Sequence, residues 1–136
     1  MPGMDGSELV QRVKERDPDQ EIVVVTSVGD VKTAVDAFGQ LDVCVNNAGI
    51  LRDKTLSKLD EGMWDSVILV HLKGTYCVSR AAFNHMKERG AGGVIINTSS
   101  TSGLNGNFGQ SNYGAAKAGV AGMTRCMALE GQKYGI

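Results

Sequence analysis

The chain has 136 residues, enough for one domain with a real core, a formal net charge of −1 and 42% hydrophobic residues. That balance offers no basic surface for nucleic acid or an acidic membrane, and no run of eighteen apolar residues is present to span a bilayer. Cys44, Cys77 and Cys126 are widely spaced among apolar neighbours, and no CxxC or HxxxH spacing accompanies them, so they read as reduced thiols of a cytoplasmic protein with no metal site.

The N-terminal stretch MPGMDGSELV has neither the basic start nor the apolar segment of a leader. The first expected element is a helix capped by Asp5, with Glu8 completing a capping box and Leu9, Val10 and Val13 forming its apolar stripe; it ends before Pro18. EIVVVTS (residues 21–27) is a continuous β-branched run, the mark of a strand buried on both faces. Asp30 then caps a short helix carrying Ala34, Ala37 and Phe38, which stops near Gly39. LDVCVNN (residues 41–47) is a second buried strand. Asp60 caps a long helix in which Trp64, Val67, Ile68, Leu72, Cys77, Val78, Ala81 and Ala82 fall near helical spacing, ending before RGAGG. GVIINTS (residues 93–99) is a third strand, SGLNGNFGQ a loop, and Ser111 caps a last helix from about Asn112 to Lys133.

Strands alternating with helices imply an α/β domain built on a short parallel sheet of about three strands. If consecutive strands are neighbours, right-handed crossovers put every connecting helix on one sheet face. The other face is then bare, so the sequence leads to an obligate oligomer. The expected contacts are that face and the helices at residues 61–89 and 112–133. Their small residues Gly74, Ala81, Ala82, Ala115, Ala118, Gly119 and Gly122 permit close helix approach.

SNYGAAKAG carries the sharpest chemical signal. Tyr113 and Lys117 are four apart and share a helix face, where an ammonium beside a phenol favours proton transfer by the tyrosine. His71 and His85 are fourteen apart on one helix, roughly 21 Å along its axis, too far to chelate one metal ion.

From Phe38 onward the chain resembles the short-chain dehydrogenase/reductase family in its ketoacyl-reductase-like form. The carrying motifs are LDVCVNNAG, GGVIINTSS and YGAAK, with Ser100 thirteen residues before Tyr113. The resemblance implies a Rossmann- or flavodoxin-like α/β fragment of a three-layer fold. It also implies the site roles. Ser100 orients a substrate carbonyl, Tyr113 is the acid/base, and Lys117 assists it and holds the nicotinamide ribose. Asn47, Ala48 and Gly49 shape the cofactor cleft. The family often has an asparagine serving a proton relay where this chain has His71.

Residues 1 to about 37 resemble a response-regulator receiver domain instead, through MPGMDG, VVVTS and GDVKTAVDA. The chain therefore reads as a chimera within a single α/β domain spanning 1–136, with a seam between about Ala34 and Gly39. No G-x-G-x-x-G or G-x-x-x-G-x-G element precedes NNAG to grip a cofactor pyrophosphate. The leading expectation is thus a folding, self-associating protein with neither parental activity and no cofactor. The alternatives are a residual NAD(P)H-dependent 3-oxoacyl reductase or, further off, a new hydrolase-type activity at a pocket made by the join or by an oligomer interface.

Overall fold

The computed structural model describes residues 31–136. The expected helix after Asp5, the strand EIVVVTS and the MPGMDG motif lie outside the described residues. Helix α1 (Val31–Phe38) leads into strand β1 (Val43–Asn46). A 3-10 turn (Leu56–Lys58) precedes helix α2 (Glu61–Ile68), where the Asp60 carboxylate accepts the Met63 backbone N–H at 2.7 Å, as its capping position demands. A π-helical stretch (Leu69–Lys73) joins α2 to helix α3 (Gly74–Arg89), so the expected single long helix is interrupted in its middle. Gly90 closes α3 in the left-handed conformation, with its N–H on the Met86 carbonyl. Strand β2 (Val94–Asn97), short helix α4 (Thr101–Asn105), helix α5 (Ser111–Gly131) and a final 3-10 turn (Gln132–Tyr134) complete the order.

Among the described residues the sheet has two strands, the second and third of those expected. They run parallel, with Val43 opposite Val94 and Asn46 opposite Asn97. Period-two alternation then assigns the faces. Cys44 and Ile95 turn toward α3, where Cys44, Ala82 and Met86 form the core with Val31, Leu41, Val78 and Ile136 packed around it. Val94 and Ile96 turn the other way and remain 50% and 48% exposed.

Two local expectations change. The stretch after Ser99 reads as a loop because Gly103 and Asn105 are poor helix formers, yet it holds α4. Ser100 caps that helix, its Oγ accepting the Ser102 N–H at 3.2 Å, and close packing of α4 on α5 at Gly103 outweighs propensity. Ser111 is not a cap but the first residue of α5; Gln110 precedes it with no side-chain cap bond. The Gln110 side chain is used elsewhere. Its Nε2 donates to Asp53 at 2.8 Å and its Oε1 accepts from Ser102 Oγ at 2.7 Å.

Candidate active site

The two strands end side by side, and the segment after each of them lines the site. After β1 come Asn47, Ala48 and Gly49, all exposed. After β2 come Thr98, Ser99 and Ser100, and the first two turns of α5 pass beneath them with Tyr113 and Lys117. Helix α4 can lie this close to α5 because residue 103 is glycine: a Cβ there would stand 2.6 Å from the Ala118 nitrogen. Ser99 Oγ donates to the Lys117 carbonyl at 2.9 Å, tying the strand end to the helix.

Lys117 is 5% exposed. Its Nζ donates to the Thr98 carbonyl at 2.5 Å and lies 5.7 Å from the Tyr113 ring centroid. Burial holds its ammonium below the usual lysine range. An ammonium has three N–H donors, and the described residues give this one a single acceptor, so two donors remain for a ligand.

His71, in the π-helical stretch, is 3% exposed. Its ring stands edge-on to Tyr113, centroids 5.0 Å apart at 87°. Nε2 lies 2.7 Å from the Ile50 carbonyl and 3.0 Å from the Ile50 nitrogen. Burial pushes the imidazole below the ordinary histidine range; the Ile50 backbone contact opposes this, and the Lys117 charge adds to it.

The structure thus brings Tyr113, Lys117 and His71 together. Ser100 stands at the N-cap of α4, two residues beyond the carbonyl that holds Lys117. Of the three cofactor-side positions, Gly49 meets His71, while Asn47 and Ala48 are exposed. The relay role that the resemblance implies for His71 gains no hydrogen bond among the described residues, because Nε2 is engaged by Ile50 and Nδ1 has no partner there.

Sequence reasoning missed the polar residues behind the site. Asn112 is fully buried. Its Nδ2 donates to the Arg52 and Met63 carbonyls at 3.0 and 3.3 Å, and its Oδ1 accepts the Tyr113 N–H at 2.8 Å. It fastens the loop after β1 to the helix that carries the tyrosine. A second group locks the strand ends: Asn46 Nδ2 donates to Ser79 Oγ at 2.9 Å and Asn97 Oδ1 at 2.8 Å, and Asn97 Nδ2 donates to Thr124 Oγ1 at 2.9 Å. An asparagine at the end of each strand was the available signal.

A crevice at the carboxyl ends of parallel strands is where α/β sheets take nucleotides. The donors of Lys117 that Thr98 does not take suit a hydroxyl-rich group such as the ribose of a nucleotide. No glycine-rich turn opening a helix occurs among the described residues to hold its phosphates. The family's model, short chain dehydrogenase, matches residues 20–136. The chain belongs to this family. The match begins well before the expected seam at Ala34 to Gly39, so VVVTS and GDVKTAVDA lie inside it. Among relatives, the chain is 52% identical over 106 residues to a peroxisomal multifunctional enzyme type 2 of Mus musculus, covering 78% of this chain and 14% of that protein. It is 45% identical over 106 residues to an acetoacetyl-CoA reductase of Acinetobacter, covering 78% of this chain and 42% of the relative. A crystal structure of a short chain dehydrogenase from Mycobacterium avium superposes with a TM-score of 0.74 at 47% identity, covering 77% of this chain and 38% of that one. The chain thus spans less than half the length of each.

Proposed function

We propose that this chain carries the catalytic face of an NAD(P)H-dependent oxidoreductase that reduces the 3-oxo group of an acyl thioester. This favours the reductase alternative over the inert, cofactor-free protein that leads the sequence reading. One observation carries it: the buried Lys117 ammonium held between Thr98 and Tyr113 with donors to spare. A lysine buried with a single acceptor is a poor structural device, since desolvation disfavours its charge. It makes sense as the assistant of a phenol that must release a proton. The thioester class draws support from relatives whose names specify acetoacetyl-CoA reductase and hydratase-dehydrogenase-epimerase.

In this reading bound NAD(P)H supplies the hydride. Ser100 Oγ donates a hydrogen bond to the carbonyl oxygen and orients it. Tyr113 delivers the proton from its phenol to that oxygen, and the Lys117 ammonium stabilises the negative charge left on the ring. Asn112 and Ser99 keep the two groups in register.

The test is titration of NADH and NADPH by fluorescence, followed by turnover of acetoacetyl-CoA. Binding in the millimolar range or better with measurable oxidation of the nucleotide is expected. No binding of either nucleotide at millimolar concentration and no turnover refute the proposal.

A second property is self-association through α3, α5 and the sheet face that carries Val94 and Ile96. It is supported by exposed Leu69, Tyr76 and Leu129 along the helical segments and by half-exposed Val94 and Ile96 on the sheet. A stable folded monomer in sedimentation at micromolar concentration argues against it. A cytoplasmic location is proposed on the free thiols of Cys44, Cys77 and Cys126. Among the described residues no helix is long and apolar enough to cross a membrane. The receiver-like reading of residues 1 to about 37 rests on MPGMDG, VVVTS and GDVKTAVDA, the last two of which fall within the family match.

A further inference from the structure

His71 touches both walls of the site. On one side its Nε2 bonds the backbone of Ile50, and on the other its ring abuts Tyr113 at 5.0 Å. The Gly49 backbone is pressed against the same ring. A Cβ at residue 49 would stand 2.4 Å from His71 Cε1 and 3.2 Å from Nε2. The imidazole is 3% exposed and bonded to the main chain, so it has no room to swing away from such a contact.

The ring's proton can be placed. Nε2 cannot both donate to the Ile50 carbonyl at 2.7 Å and accept the Ile50 N–H at 3.0 Å in one tautomer. Donation to the carbonyl uses the shorter contact and leaves Nδ1 as a bare lone pair. The opposite tautomer buries an Nδ1–H donor with no partner among the described residues, and an unpaired buried donor is strongly disfavoured. A proton relay through the ring needs both tautomers in turn, and each exchange breaks the bond to the Ile50 carbonyl.

We infer that His71 is a positioning residue: a wedge that fixes the separation between the Gly49–Ile50 backbone and the Tyr113 ring, with glycine at 49 as its required counterpart. Its catalytic consequence rests on the reductase reading, because the distance it sets is that between the cofactor-side loop and the proton donor. Its structural consequence does not depend on that reading.

Three measurements on the full chain test it. In 1H–15N spectra of the histidine side chains, with His85→Gln used for assignment, His71 appears as the neutral Nε2–H tautomer at pH 7; an Nδ1–H tautomer overturns the inference. Gly49→Ala lowers Tm by about 5 °C or more in the parent. The same change shifts Tm by less than about 1 °C in a His71→Ala background, and equal shifts in both backgrounds overturn the wedge. Finally, His71→Gln keeps an amide within reach of Ile50 but carries no titratable proton. Its kcat for acetoacetyl-CoA reduction stays within about tenfold of the parent with an unchanged pH profile, whereas His71→Ala loses about 100-fold in kcat with little change in KM. A His71→Gln loss as deep as that of His71→Ala assigns the ring a proton-carrying role and refutes the inference. If the parent shows no turnover while the first two results hold, the reductase reading falls and the wedge stands.

Discussion

Replacing Lys117 by methionine separates catalysis from stability. Methionine approximates the length of the lysine stem but removes the charge. At 5.7 Å from the ring centroid, with an effective dielectric of about 20, an ammonium stabilises a full negative charge on Tyr113 by about 3 kcal/mol. That is a factor of about 100 in rate, so kcat for carbonyl reduction falls at least that far. The fold responds differently. The substitution leaves the Thr98 carbonyl without its partner, at about 1 kcal/mol, and relieves the burial of an ammonium, which offsets it. Urea unfolding at pH 7 therefore gives a stability within about 1 kcal/mol of the parent or above it. An alkaline series supplies an independent check. Because burial lowers the folded-state pKa of Lys117, the unfolded chain holds a proton that the folded chain has shed as pH approaches about 10.5, so parent stability gains a rising contribution in that window. Lys117→Met loses that contribution. A variant that keeps its kcat within threefold, or unfolds several kcal/mol more easily at pH 7, refutes the assignment of Lys117 as a catalytic charge.

Tyr113→Phe abolishes turnover while NADH titration by fluorescence still reports binding, because the phenol hydroxyl is needed only for the proton. Asn112→Ala removes three hydrogen bonds from a fully buried side chain and costs about 3 kcal/mol in urea unfolding; a cost below about 1 kcal/mol denies it the fastening role. Acid acts through His71: since its folded pKa is lowered, the unfolded chain takes up the proton first, and stability falls as pH drops below about 6.5 and levels once the folded imidazole protonates. Thermal melts of His71→Gln across the same range show a shallower decline. Lysine at both Val94 and Ile96 disrupts any assembly through the sheet face, read as a smaller particle in sedimentation.

What the sequence disclosed was local. Asp60 announces a helix start because capping chemistry is confined to a few neighbouring residues, and Gly90 announces an end for the same reason. VCVN and VIIN read as strands because β-branched runs leave few other choices. Tyr113 and Lys117 were legible because one helical turn brings them together. The rest depends on contacts across the chain. Asn46 meets Ser79 and Asn97 from 33 and 51 positions away, and no pattern within a window reports that. Helix α4 was hidden because its stability comes from lying on α5 through Gly103, not from its own residues. The assignment of His71 as a relay rests on position in a motif; its partners, the Ile50 backbone and Gly49, became apparent only with the loop in place.

The π-helical stretch has a consequence for tolerance to length change. A continuous α-helix advances about 100° per residue, which would point Ser79, Ala82 and Met86 about 90° away from Val67 around the axis. Five π-helical residues at roughly 4.4 per turn each advance about 18° less, and together they cancel that angle. The stretch is a phase correction that lets two helical halves with mismatched apolar stripes face one core. Deleting a single residue between Leu69 and Lys73, other than His71, and letting the stretch become α-helical would remove one step of about 100°, nearly the same angle, so both halves would still face inward. The same deletion within α3 would instead turn the residues beyond it about 100° out of the core.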